Sequence, residues 1–325
     1  MTFKINLLIL PAYFFLYSCD SSDGGDESAE QADPSNESRL GQDYGQDDGV
    51  AKGGPEGVRR YRKDAEQGDA EAQFKLGQIY FHGDGVVKDA AEGVKWFRKA
   101  AEQGKPSAQY NLGVCCLRGY GVTKSLTEAA KWFRKAADKG NASSQGNLGV
   151  CYLRGDGVAK DATEAVKWFR KAAEQGDAEA QYNLGVRYLL GEGVAKDTFE
   201  GVKWYRKAAE QGKPTAQYNL GLCYSRGYGV VKDVTEGVKW FRKAAEQGNA
   251  EGQYNLGVCY AKGDGVDEDD VTAYMWTNLA AASDSKIAKS AKELRSMLES
   301  KMASGEIVEA RLLSRDWKPR GYQKE

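Results

Sequence analysis

The chain has 325 residues, with 46 basic and 47 acidic side chains and a net charge of -1. That balance gives no bulk basic field for nucleic acid. A single histidine, His82, argues against histidine-based metal sites and catalytic triads before any motif is sought.

The first predicted element is an apolar run from Ile5 to Tyr17, preceded by one charge at Lys4. A bilayer-spanning helix takes about 20 residues, so this run is too short to span and fits the core of a secretory signal. It ends Leu16-Tyr17-Ser18-Cys19, which resembles the bacterial lipoprotein signal, with Leu at the third position before the modified cysteine and a small Ser directly before it. The resemblance implies that residues 1–18 are removed and that Cys19 is lipidated, and several acyl chains anchor stably where one does not. From Asp20 to Asp48 there are ten acidic residues, one Arg and almost no aliphatic or aromatic side chains. Such a segment cannot offset the entropy of ordering, so 19–54 is expected to be a disordered acidic tether. The expected location is a bacterial membrane, facing the periplasm or cell exterior, with simple secretion as the alternative. The choice between inner and outer membrane stays open.

Beyond the tether a glycine recurs at Gly77, Gly113, Gly149, Gly185, Gly221 and Gly257, always 36 residues apart. A fixed period in this range marks a solenoid whose units cannot bury their apolar faces alone. Each unit divides in two. The first half, as in Ala180 to Tyr188, places Ala, Leu-Gly and Tyr on one face of a helix of about three turns. This first helix stops at a Gly-x-Gly pair such as Gly191 and Gly193, where glycine supplies the left-handed cap and a tight reversal. Next comes Asp-x-x-Glu (Asp89/Glu92, Asp161/Glu164, Asp197/Glu200, Asp233/Glu236, with Ser125/Glu128 as a variant), the signature of a capping box. The second helix follows, with Val94, Phe97 and Ala101 on one face, Trp96 and Ala100 beside it, and Lys95, Arg98 and Lys99 on a solvated outer face. Residues 55–71 read as a lone second helix, 72–283 as six repeats, and 284–325 as a helical cap and tail.

These features together resemble the Sel-like repeat family, relatives of the tetratricopeptide repeat. The matching signature is A-x-x-N-L-G-x-x-Y-x-x-G-x-G-V-x-x-D-x-x-E-A-V-K-W-F-R-K-A-A-x-x-G, over roughly residues 55–317. Period and resemblance predict an all-α fold, a right-handed superhelical α/α solenoid of helix-turn-helix repeats.

Candidate chemistry is sparse. Cys115, Cys151, Cys223 and Cys259 share one column and Cys116 lies beside it. Equivalent positions of stacked helices lie about 8–10 Å apart, beyond disulfide reach, so these read as packing residues or free thiols. The Gly-Asp-Gly loops lack the alternating oxygen ligands of a calcium loop and read as turns. The Trp column (Trp96, Trp132, Trp168, Trp204, Trp240, Trp276) reads as inter-helix core. No cofactor or metal is expected.

The candidate binding column is the asparagine before Leu-Gly: Asn111, Asn147, Asn183, Asn219 and Asn255, with Lys75 in the first unit. In the related tetratricopeptide fold this place lines a concave groove, and an amide ladder there could hold the backbone of an extended peptide. The same column also reads, and more readily, as capping or bracing neighbouring helices. A second column, His82, Arg118, Arg154, Leu190, Arg226 and Lys262, would give the groove a basic edge that favours carboxylate-bearing segments. The expected function is a non-catalytic scaffold tethered at the cell envelope that binds a protein or extended peptide, with no nucleic-acid partner. The resemblance also brings two alternatives, a β-lactam-binding or β-lactam-hydrolysing enzyme and a glycan- or peptidoglycan-associated protein.

Overall fold

A computed structural model describes residues 55–319. The expected signal at 1–18, Cys19, the tether at 19–54 and the last residues of the tail lie outside the described residues. Within 55–319 every regular element is an α-helix. They are α1 (Pro55–Glu66), α2 (Ala70–His82), α3 (Ala90–Glu102), α4 (Pro106–Arg118), α5 (Leu126–Asp138), α6 (Ala142–Arg154), α7 (Ala162–Glu174) and α8 (Ala178–Leu190). They continue with α9 (Thr198–Glu210), α10 (Pro214–Arg226), α11 (Val234–Glu246), α12 (Ala250–Lys262), α13 (Asp270–Ala281), α14 (Ala288–Lys301) and α15 (Ser304–Asp316). The chain forms two compact units that divide between Lys124 and Ser125. In the first, α1 to α4 pack each on the next; in the second, α5 to α13 do the same, and α14 and α15 both pack on α13. Neighbour-on-neighbour packing of this kind is that of a helical repeat solenoid.

The repeat glycine is explained by close approach within a helix pair. A Cβ on Gly149 would stand 2.7 Å from the Phe169 ring, and one on Gly221 would stand 2.6 Å from Phe241. Only glycine lets the first helix rest directly on the aromatic of the second. Phe97, Phe169, Tyr205 and Phe241 are thereby almost fully covered, each side chain contributing about 1.5–3 kcal/mol of burial. Gly83 caps α2 in the left-handed conformation (φ 86°) and returns its N–H to Ile79 O. The Trp column is buried throughout, 5–7% exposed, as its spacing predicts.

First helices start on Asp69, Asn141, Asp177 or Asn249, each accepting from a main-chain N–H three residues on. Where Lys105 and Lys213 stand instead, Pro106 and Pro214 open the helix and remove one N–H that would need an acceptor. The capping box needs correction. Asp89, Asp161, Asp197 and Asp233 do accept from the N–H of the glutamate three residues on. The return bond is not made, because each aspartate N–H already donates to the carbonyl of Tyr80, Tyr152, Tyr188 or Tyr224 at 2.8–2.9 Å. Glu92, Glu164, Glu200 and Glu236 turn forward to a lysine one turn on, at 2.9–3.0 Å.

Candidate functional site

Helix geometry settles whether the two sequence-predicted columns share a surface. Asn147 and Arg154 are seven residues apart on α6, two turns, which returns them to one face about 10 Å apart. The same holds for Asn183 and Leu190 on α8, Asn219 and Arg226 on α10, and Asn255 and Lys262 on α12. Between them lie Val150, Val186, Leu222 and Val258. The second unit thus carries four copies of an amide–apolar–terminal stripe, basic at its far end on α6, α10 and α12. Its asparagines are half-buried, and Arg154, Arg226 and Lys262 are exposed. In the first unit the stripe is Lys75-Gln78-His82 on α2 and Asn111-Val114-Arg118 on α4. Asn111 and Val114 are buried there, and Lys75, His82 and Arg118 half-buried.

The asparagines already have work within the fold. Asn147, Asn183 and Asn255 donate to the carbonyls of Ser143, Glu179 and Glu251, one turn back on their own helices, at 2.9–3.0 Å. Asn219 donates to the Tyr182 hydroxyl of the preceding repeat at 3.2 Å. Burial pushes the Tyr218 phenol up to about 12, and a hydrogen bond from Asn255 partly offsets the rise. The column therefore braces helices. Asn147 and Asn183 use one N–H in these bonds, which leaves each carboxamide a second N–H and its acceptor oxygen.

Two columns escaped the sequence reading. Gln73, Gln109, Gln145, Gln181, Gln217 and Gln253 are buried and donate to the alanine carbonyl eight residues earlier, at 3.0–3.3 Å. Four of them also accept from the glutamine thirty residues on: Gln103, Gln175, Gln211 and Gln247, at 2.6–2.8 Å. Their presence in all six repeats was the available signal. The second feature adds contacts to the solvated basic face. Lys99, Lys135, Lys171, Lys207 and Lys243 lie 3.8–4.1 Å over the rings of the buried tryptophans. Arg170, Arg206 and Arg242 donate to the hydroxyls of Tyr188, Tyr224 and Tyr260 in the following repeat, at 2.5 Å. The Lys95 column is ion-paired within its own helix, and the Lys99 column, though laid over the tryptophans, stays exposed as expected.

Cys115, Cys116, Cys151, Cys223 and Cys259 are buried free thiols. Burial pushes Cys115, Cys151, Cys223 and Cys259 up to about 12, so they carry no thiolate at neutral pH and no nucleophilic chemistry. The same column holds Arg187 in the fourth repeat, 2% exposed. It pairs with Glu192 in the adjoining Gly-x-Gly loop, while its Nε and Nη2 have no acceptor. Among the described residues no cluster of three or more His, Cys, Asp or Glu side chains could hold a metal ion. No described helix is long and apolar enough to cross a membrane.

Gln78 is the other outlier. It is 1% exposed, and neither its Nε2 nor its Oε1 has a partner in the protein; His82 Nε2 is likewise buried and unpartnered. A buried polar group left unpaired costs about 1–3 kcal/mol.

Stacked helix pairs that repeat their inter-unit bonds and carry one stripe on every first helix define a helical repeat scaffold. More particularly, the Sel1 repeat model matches residues 70–105, 106–141, 142–177, 178–213, 214–249 and 250–285, and the chain belongs to that family. A Sel1 repeat protein from Oxalobacter formigenes superposes with a TM-score of 0.67 at 35% identity, covering 74% of this chain and 68% of its own. A protective antigen of uropathogenic Escherichia coli displaying an SLR fold aligns at 29% identity over 80% of this chain and 78% of its own, with a TM-score of 0.43. An immunity protein from Pseudomonas aeruginosa aligns at 20% identity over 71% and 83%, with a TM-score of 0.41. Comparison with curated proteins gives no match. Sel1 repeat proteins are in general interaction scaffolds that bind other proteins.

Proposed function

We propose that this protein is a non-catalytic scaffold, tethered at the bacterial envelope through an acylated Cys19 and the acidic 19–54 segment. It captures a protein or extended peptide along the first-helix stripe. The observation that carries the reading is the shared face. Asparagine, an apolar residue and, in most repeats, a basic residue stand in line on one helix and return on the next. Amides hold a main chain without reading its side chains, and the basic ends favour acidic segments. The tether would raise the local concentration of the groove at the membrane.

The test is crosslinking and affinity capture with the membrane-anchored protein and a variant carrying Asn111→Ala, Asn147→Ala, Asn183→Ala and Asn219→Ala, once circular dichroism has shown that the variant folds. A partner captured by the parent and lost by the variant is the expected result. A partner held equally by both removes the stripe from the reading and leaves the asparagines as braces. Incorporation of labelled palmitate, abolished by Cys19→Ala, is the expected sign of the anchor.

A further inference from the structure

We infer that the outer face of α15 is a second docking surface, which takes an amphipathic helix of a partner protein with a basic edge. It shares no residue with the first-helix stripe and does not depend on it. The helix that ends a stack is expected to be polar on the side away from its neighbours. On α15 that side is apolar. Its inner side is already satisfied: Ala310 and Ser314 are buried, and Ile307 packs into one cluster with Ala310, Leu294 and Leu298. On the opposite side Val308, Leu312 and Leu313 are 45–56% exposed. Scattered apolar side chains are ordinary on a surface, whereas a contiguous group of them marks an interaction site.

The face is also concave. With Met275 of α13 and Trp317 it lines a groove of about 640 Å3 that extends from Gly305 to Asp316. That is about 16 Å of helix, or three turns. Helices dock in such grooves through apolar anchors at i, i+3 or i+4, and i+7. Charge fixes the rest of the partner's chemistry. Glu309 and Asp316 line the groove two turns apart, and among the described residues no lysine or arginine lines it. Arg315 holds Asp316 at 2.8 Å from outside the groove, while Glu309 stands exposed in its wall. A second copy of α15 would add the same two carboxylates to the groove. A helix with leucine-like anchors and a lysine or arginine beside them meets both the apolar wall and Glu309.

The test titrates two synthetic amphipathic helical peptides, one of leucine and lysine and one of leucine and glutamate, into the full chain by fluorescence anisotropy. The leucine–lysine peptide is expected to bind, and the leucine–glutamate peptide to bind about tenfold more weakly. The acidic residues between Asp20 and Asp48 also attract lysine, so two variants locate the site. Leu312→Asn leaves every charge in place at an exposed position. It is expected to melt with the parent and to weaken leucine–lysine binding about tenfold. Glu309→Lys is expected to narrow the gap between the two peptides about threefold. Failure of the leucine–lysine peptide to bind, or binding that Leu312→Asn leaves intact, overturns the inference and leaves the stripe reading standing. If Leu312→Asn melts lower, Glu309→Lys decides alone, and an unchanged gap overturns the site. Self-association of the parent that excludes the peptide overturns it in favour of a second copy. Binding that appears only once 320–325 is removed overturns it in favour of the chain's own tail.

Discussion

The fifth repeat and the last one are built on the same positions and solve different problems. In α11, Lys239 points outward, Lys243 covers Trp240 and Arg242 bonds Tyr260 of the next copy. In α13 the same places hold Met275, Leu279 and Asn278. Trp317 meets Trp276 edge-on at 5.9 Å in place of a lysine. Asn278 accepts from Arg295 of α14 at 2.9 Å, where Arg242 reached a repeat tyrosine. Tyr274 donates to Glu299 at 2.6 Å, and Arg311 of α15 closes the cluster onto both. An interior repeat thus encodes half of an interface to its own likeness. The last repeat keeps the frame and exchanges the partners, so that two helices of different sequence can end the stack.

The comparison breaks most severely by deletion. Removing residues 178–213, one full period, is expected to leave a shorter but cooperatively folding array, since Asp177 and Lys213 occupy the same structural place. Truncation after Ser283 strips α14 and α15 from Tyr274 and Trp276 and is expected to lower the thermal midpoint by about 10 °C or more. Equal losses in the two deletions would show that the closing helices are merely another repeat.

Alkaline pH bears on the cysteine column, because Cys115, Cys151, Cys223 and Cys259 all lie in the first helices of repeats. Their folded values, about 12, lie above the ordinary 9.0. The stability they contribute is therefore complete below pH 9 and is lost as the unfolded chain ionises between 9 and 12. The loss is on the order of 1 kcal/mol per thiol per pH unit, read by urea unfolding at pH 8 and pH 10. Serine in all four places is expected to flatten that slope.

Within the cysteine column the exception at Arg187 gives the next effect. Glu192→Ala removes the half-exposed carboxylate that pairs with the buried Arg187 and is expected to cost about 1–3 kcal/mol in chemical denaturation. Arg187→Cys, which restores the column, is expected to be neutral or stabilising. The smallest effect compares the two covers of the Trp column. Lys243→Ala is expected to cost about 0.5–1 kcal/mol, and Trp317→Ala about 2–3 kcal/mol. Reversal of that order would make the closing Trp pair dispensable.

The repeat, its helices and the buried tryptophans were legible because a period copies every signal six times. Gly149 stood out in sequence, although its reason, the ring of Phe169 beneath it, is a contact no spacing reveals. The capping box was half legible: Asp89 caps as expected, but whether its own N–H is free depends on Tyr80, nine residues earlier and on another helix. The basic residues were half legible for a similar reason. Lys99 and Arg170 are polar in any periodicity count, and only packing shows that one lies on Trp96 and the other ends at Tyr188. The candidate stripe was legible as two columns seven residues apart. Gln78 was not, since its oddity is the absence of any partner within the described fold.

The glutamine ladder has a consequence for how such a chain is made. Gln211 reaches back thirty residues to Gln181, and Gln181 itself reaches back eight to Ala173. Nothing in an interior repeat waits for a distant part of the sequence. Each period finds its partners in the one synthesised just before it, so structure can accrete in the order in which the polypeptide emerges, with short loops to close at every step. Within the second unit the stack can grow from α5 as a chain of small additions, and α15, arriving last, stops it.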